Sequence, residues 1–239
     1  KECEVITSSI KIRCKTVPGS GRDLRWTVTV AGQPSPLSTA TTSYGDPTIL
    51  SMSPTEGTTA GFVVTMTGIN MAPSVSSSSS SMSSILLGTN EITNGITIVQ
   101  TGTLHLGRSV QQVTFTIPEG VGINLSLIYR LRSESDRTSY QSSTSQTISY
   151  SQPSIDSIHI STYNDVSYPY KVIVEGTNFC SGQLSNCAVL KIDGNVVGTT
   201  EILQHDHLSI SFKSILPSGT VTFAWKAPYT AQTSVSGSF

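Results

Sequence analysis

VIVEGTNFCSGQLSNC, Val172–Cys187, and TMTGINM, Thr65–Met71, share one form, and that form decides how the chain is read. In each, an alternating run stops at a Gly, turns at an Asn and closes on a large apolar residue, Phe179 or Met71. Extended backwards, the runs are YKVIVEG (Tyr170–Gly176) and FVVTMTG (Phe62–Gly68), with the period of two expected of strands that bury one face. The Gly and the Asn end the strand and bend the chain, and Phe179, like Met71, is read as a core plug. Cysteines follow the turn in the later copy only, at Cys180 and Cys187. The turn therefore belongs to the fold and the cysteines are a local addition.

Other stretches repeat at a similar distance. TVPGSGRDLRWTVTVAGQPS (Thr16–Ser35), TIPEGVGINLSLIYRLRSES (Thr116–Ser135) and ILPSGTVTFAWKA (Ile215–Ala227) each place a Pro and a Gly-containing turn before an alternating run. Their prolines, Pro18, Pro118 and Pro217, lie 100 and 99 residues apart. TSYGDPTILSMSP (Thr42–Pro54) matches ISYSQPSIDSIHI (Ile148–Ile160), with Pro47 and Pro153 separated by 106 residues, and Gly68 and Gly176 lie 108 apart. A period of about a hundred residues is the size of an immunoglobulin-type β-sandwich. The expected organisation is the back half of one unit at 1–46, a full unit at 47–151 and another at 152–239, joined by short linkers as a stiff rod.

The class is all-β. Apolar residues do not recur at helical spacing, whereas VQQVTFTIP (Val110–Pro118), HLSISFKSILP (His207–Pro217), LRWTVTVAG, LSLIYRL and TVTFAWKA all alternate, and LKIDGNVVG carries a hairpin turn at Asp193-Gly194. SVSSSSSSMSS, Ser74–Ser84, lacks apolar periodicity and is expected to be a surface loop, either merely solvated or else O-glycosylated or partner-contacting.

With 14 basic against 15 acidic residues, the chain has no electrostatic footprint for nucleic acid or an anionic membrane. No apolar run is long enough to span a bilayer, so membrane attachment is expected only through segments outside this sequence. The opening KECEVI does not read as a signal peptide, and the chain is taken for a piece of something longer. Four cysteines in two close pairs, Cys3 with Cys14 and Cys180 with Cys187, suit local disulfides in an oxidising compartment. Four cysteines allow three connectivities; the local one needs least rearrangement of the chain, and free buried thiols are the alternative.

Candidate chemistry is sparse. His105, His159, His205 and His207 are scattered, and only His205-Asp206-His207 sets two imidazoles at strand spacing, too few ligands for an expected metal site. No nucleophile elbow or Cys-x-x-Cys knuckle occurs, so neither enzyme activity, cofactor nor small-molecule substrate is expected. Asn124-Leu125-Ser126 is an N-glycosylation sequon directly after a Gly-rich turn. STYNDVSYPYK, Ser161–Lys171, offers Tyr163, Tyr168 and Tyr170 as candidate partner contacts, or as packing residues at a unit junction or in the core.

The motif P-x-I-x-S-x-x-P…G-[FY]-x-V-x-x-x-G-x-N-[FM], followed by a polar strand into a Pro and a Gly-containing turn and by a final S-Y, resembles the IPT/TIG type of immunoglobulin-like (E-set) domain. The match is fullest over Pro47–Met71; in the last unit HISTYNDVSYPY departs from the usual turn. Tandem copies with this Ser/Thr-rich, weakly charged composition resemble the ectodomains of the tiger proteins of social amoebae. That resemblance implies a cell-surface adhesion and kin-recognition role through protein–protein binding, homophilic or heterophilic, to a cell-surface partner of the same family. The alternative is a structural stalk or an accessory module of a secreted carbohydrate-acting enzyme.

Overall fold

The computed structural model describes residues 3–8, 10–72, 82–133, 140–180, 188–198, 202–215, 218–225 and 234–238. Among them there is no α-helix, and the chain is all-β. The strands in order are β1 (Cys3–Thr7), β2 (Lys11–Cys14), β3 (Thr29–Val30), β4 (Gln33–Pro34), β5 (Thr48–Ser53), β6 (Glu56–Gly57), β7 (Phe62–Ile69) and β8 (Ser83–Leu87). Then come β9 (Asn90–Ile92), β10 (Thr97–His105), β11 (Arg108–Ile117), β12 (Leu125–Arg132), β13 (Tyr140–Ser142), β14 (Gln146–Tyr150) and β15 (Ser154–Thr162). The last are β16 (Tyr170–Thr177), β17 (Ala188–Ile192), β18 (Asn195–Val196), β19 (Ile202–His205), β20 (Ser209–Ser214), β21 (Thr220–Trp225) and β22 (Ser234–Ser238). The chain divides into two compact units: Lys1–Met52, Thr65–Phe115 and Leu127–Ser145 form one, and Ser53–Val64, Thr116–Ser126 and Gln146–Phe239 form the other. Strands are described below in the unit that holds most of their length.

In the first unit one sheet has the order β10-β11-β7-β5, and a second pairs β12 with β8, β8 with β9, and β13 with β12. Alternation decides which faces meet. Along β12 the residues Leu127, Tyr129 and Leu131 are buried while Ile128, Arg130 and Arg132 point the other way. They pack with Met66, Ile85, Val113 and Phe115, all essentially inaccessible. Met71 is fully buried, as the plug reading expects. The Tyr129 hydroxyl donates within this core to the carbonyl of Met71 and accepts from the Ser83 hydroxyl, and burial pushes its acidity well below that of an ordinary phenol.

The expected serine loop ends earlier than its composition implies. Residues 73–81 lie outside the described part, but Ser83 and Ser84 open β8 and are both buried. Their hydroxyls are satisfied locally, Ser83 by Tyr129 and Ser84 by donation to Glu91 at 2.6 Å. A small hydroxyl residue enters a core when a partner waits for it, which composition does not reveal.

The run LRWTVTVAG also differs from expectation, since only Thr29–Val30 forms a regular ladder. Serine hydroxyls replace ladder carbonyls here: Trp26 N–H donates to Ser38 Oγ and Val28 N–H to Ser35 Oγ. Val28 and Val30 of this run stay exposed, as do Val5 and Ile12 earlier in the chain.

The second unit contains two four-stranded sheets, β15-β16-β20-β19 and β18-β17-β21-β22, packed as a β-sandwich. Val172, Val174, Ile210 and Phe212 of one meet Leu190, Val221 and Phe223 of the other, all at most 1% exposed. Phe179 lies in the same core, its ring 5.0 Å from that of Phe223. Gly176 is required where it is because a Cβ there meets the Ser154 carbonyl oxygen at 1.9 Å. Asp193 and Gly194 adopt φ 47° and 84°, the left-handed pair of a tight hairpin between β17 and β18, as read from Asp-Gly.

Candidate interaction surface

The loop joining β15 to β16 carries the tyrosines singled out from sequence. HISTYNDVSYPY extends β15 to Thr162 and forms a long hairpin with β16, paired from Ser154↔Thr177 out to Thr162↔Tyr170. At its tip Asp165 organises the backbone. Its Oδ1 accepts from the amides of Ser167 at 2.9 Å and Tyr168 at 3.3 Å, a turn that a short carboxylate side chain makes readily. Tyr163 N–H closes the loop on the Pro169 carbonyl at 2.7 Å.

The other oxygen of Asp165 binds a residue that no sequence motif singles out. Lys213 lies on β20, opposite Lys171 of β16, and its Nζ is 3.1 Å from Asp165 Oδ2. The same ammonium lies 5.6 Å from the Tyr163 ring centroid and 5.9 Å from that of Tyr168, within cation–π range of both. Lys213 therefore serves as a central post, with a carboxylate and two rings fastened around it. The Lys213 hydrogen bond holds the Asp165 carboxyl below the usual range, helped by the Ser167 amide, and Asp165 in turn raises Lys213. Tyr163, Tyr168 and Tyr170 are half-buried, and Val166 at the tip is fully exposed. Structure thus brings Tyr163 and Tyr168 together around one cation, while Tyr170 stands in the ladder opposite Ser214. The alternation of HLSISFKS shows only that Lys213 faces outward. A cross-strand neighbour is invisible without the register.

The remaining sequence candidates fall elsewhere. Cys3 and Cys14 are directly opposite in the β1–β2 pair and form a disulfide. Cys180 is also disulfide-bonded, and Cys187 lies outside the described residues. Asn124 is exposed with φ 52°, its N–H donated to Ser149 Oγ, so the sequon sits on an open left-handed turn. His207 makes its contacts with Thr59 and Glu119. Its Nδ1 lies 2.9 Å from Thr59 Oγ1 and its Nε2 3.6 Å from Glu119. Since the Thr59 hydroxyl donates to the Phe179 carbonyl, Nδ1–H is the donor to Thr59. The side chain of His205 lies outside the described residues.

A cavity of about 300 Å³ opens in the first unit, lined by Val17, Leu24, Arg25, Trp26, Thr42 and Tyr44. It lies on the segment whose apolar residues are uncovered. The turn geometry aligns that segment with a later one: Gly21 (φ 129°) matches Gly122 (φ 126°), and Asp23 (φ 53°) matches Asn124 (φ 52°). In this alignment the residues matching Trp26, Val28 and Val30 are Leu127, Tyr129 and Leu131, which are buried.

No family model matches the sequence, and no curated protein matches it. Among solved structures, the chain is similar to a surface glycan-binding protein from Prevotella bryantii, with 14% identity and a TM-score of 0.39. The likeness covers 80% of this chain and 42% of that one, so this chain spans less than half of the other's length.

Proposed function

We propose that the chain is the extracellular part of a cell-surface adhesion or recognition protein. It would act by protein–protein contact through tandem immunoglobulin-like domains of the IPT/TIG type, at 1–46, 47–151 and 152–239. The observation that carries this reading is the loop locked around Lys213. Asp165, Tyr163 and Tyr168 fix the tip in advance, so a partner gripping Val166 and the tyrosine edges loses little loop entropy on binding. Disulfide-closed β-structure with few charges suits an oxidising exterior. The uncovered apolar residues of the first segment support its reading as the C-terminal part of a domain. The partner is another surface protein of the same family, and neither cofactor nor catalysis enters.

The test is direct. Soluble chain is mixed with itself and with the soluble ectodomains of its family, and complexes are read by sedimentation and by bead capture. The reading expects one specific complex, weakened by Val166→Asp and by Tyr168→Ala. Failure to bind any family member overturns it.

A further inference from the structure

Among the described residues three asparagines hold a left-handed backbone, Asn70 at φ 58°, Asn124 at 52° and Asn178 at 57°. In two of them the side-chain amide is engaged. Asn70 Nδ2 donates to the Asp46 carbonyl and Asn178 Nδ2 to the Gln152 carbonyl, both at 3.0 Å. Asn124 differs. It is exposed, and its side chain makes no hydrogen bond among the described residues. Only its backbone N–H is held, by Ser149 Oγ at 3.0 Å.

The turn by itself does not require an amide at this place. The matching residue of the earlier copy is Asp23, at φ 53°, so a carboxylate serves the same backbone. What distinguishes the later copy is the residue two positions on. Asp23-Leu24-Arg25 in one becomes Asn124-Leu125-Ser126 in the other, and of all the asparagines in the chain only Asn124 has a Ser or Thr at that distance. Ser126 is the second residue of β12 and is exposed too. Asn178-Phe179-Cys180 also sets a side-chain hydrogen donor two residues after an Asn. There, however, Phe179 is fully buried, Cys180 is disulfide-bonded and the Asn178 amide is already engaged, which leaves no room for a bulky addition.

We propose that Asn124 carries an N-linked oligosaccharide. Its Nδ2 forms a bond to the anomeric carbon of an oligosaccharide held on a polyprenyl pyrophosphate. The bond from that carbon to the pyrophosphate oxygen breaks, the lipid pyrophosphate leaves with the electron pair, and Nδ2 gives up one proton. The sugar then leaves the protein from an open turn, so the left-handed backbone and the bond to Ser149 are undisturbed. This proposal rests on the extracellular reading above, because the sugar is added along the secretory route, and it is independent of the loop at Lys213.

In the experiment the whole chain is secreted from a eukaryotic host and its mass is read intact and as peptides. The expected result is a heterogeneous heavier form that loses mass with peptide N-glycosidase. In heavy-oxygen water the same treatment is expected to convert Asn124, and not Asn178, to a labelled Asp. Asn124→Asp keeps the turn, as Asp23 does, and is expected to abolish that loss of mass. Ser126→Ala leaves Asn124 in place and is expected to abolish it as well, whereas Ser126→Thr retains it. A secreted chain with closed disulfides and an unlabelled residue 124 overturns the proposal and leaves the extracellular reading standing. A chain held back in the cell with free thiols overturns that reading, and the proposal with it. Label at Asn178 overturns the assignment of the sugar to the unengaged amide.

Discussion

The hydroxyl of Tyr150 donates to the carbonyl of Pro118 at 2.8 Å, fastening the end of β14 to the turn after β11. Tyr44 does the same to Val17, also at 2.8 Å. In both places a glycine lies under the ring, Gly120 and Gly19, where a Cβ would come within 2.7 Å of the phenol. Tyr150 also meets Phe62 edge-on at 6.0 Å. Tyr150→Phe keeps the ring and loses the bond, so it should cost about 1 kcal/mol in urea unfolding. Gly120→Ala, which pushes on the ring itself, should cost more.

Gly176 and Gly68 are held by space rather than by φ. A Cβ would lie 1.9 Å from the Ser154 oxygen in one case and 2.4 Å from the Thr48 oxygen in the other. Backbone cannot move aside cheaply, so each Gly→Ala variant should lose about 1–3 kcal/mol or more. Gly194→Ala meets nothing within 4 Å but must adopt φ 84°. It should lose about 1 kcal/mol through strain alone. Chemical denaturation of the three variants should rank them in that order.

The Asp165 carboxyl is held below its ordinary value of 3.8 by Lys213, so its contribution has a definite pH sign. A lowered folded-state value stabilises above the unfolded value and is lost as pH falls through the folded one. Thermal melts of the parent chain and Asp165→Asn should therefore differ by a constant amount from pH 5 to 8. The gap should close below about pH 4. A gap that widens on acidification contradicts the clamp.

Tyr129 should titrate in the opposite sense. Burial raises its phenol above the ordinary value of 10.0, and a raised value stabilises below pH 10 and is lost as pH climbs past it. Its phenolate absorbance should appear only with cooperative alkaline unfolding. Tyr129→Phe, which strands Ser83 and the Met71 carbonyl, should cost about 1–3 kcal/mol.

The Cys3–Cys14 bridge closes a short hairpin whose residues are nearly all exposed, so little else orders it. The chain-entropy relation gives about 3 kcal/mol for such a loop. Replacing both cysteines by Ser should abolish hydrogen-exchange protection at Val5 and Ile12. Protection at Val113 and Leu127 in the buried core should be unchanged.

How much of this was legible in the sequence differs element by element. The runs ending at Gly68 and Gly176 could be read directly, because a period of two needs only one strand to show itself. The Pro18–Pro118 match was off by one. Left-handed φ at Asp23 and Asn124, with the tyrosine acceptors at Val17 and Pro118, fixes a spacing of 101, and Pro carries no demand that would hold it to the same place. LRWTVTVAG alternates, yet it forms little ladder, since alternation states which face would be buried and not whether a strand lies alongside. Of the candidate surface, Tyr163 and Tyr168 could be picked as aromatics in a loop. Their joint hold on Lys213 could not.

The sequence by itself determined the all-β class, the repeated Gly-turn-Asn-plug motif and the local cysteine pair at Cys3 and Cys14. All of these depend on residues close together in the chain, where periodicity, φ preference and loop closure act. Only the tertiary structure decided which side chains share a space: Lys213 with Asp165 and two tyrosines, Arg130 and Arg132 across Tyr140, Ser83 under Tyr129. Those pairings are set by strand register across long stretches of chain. The free energy that selects a register comes from the buried faces, which carry no record of what the opposite faces bring together.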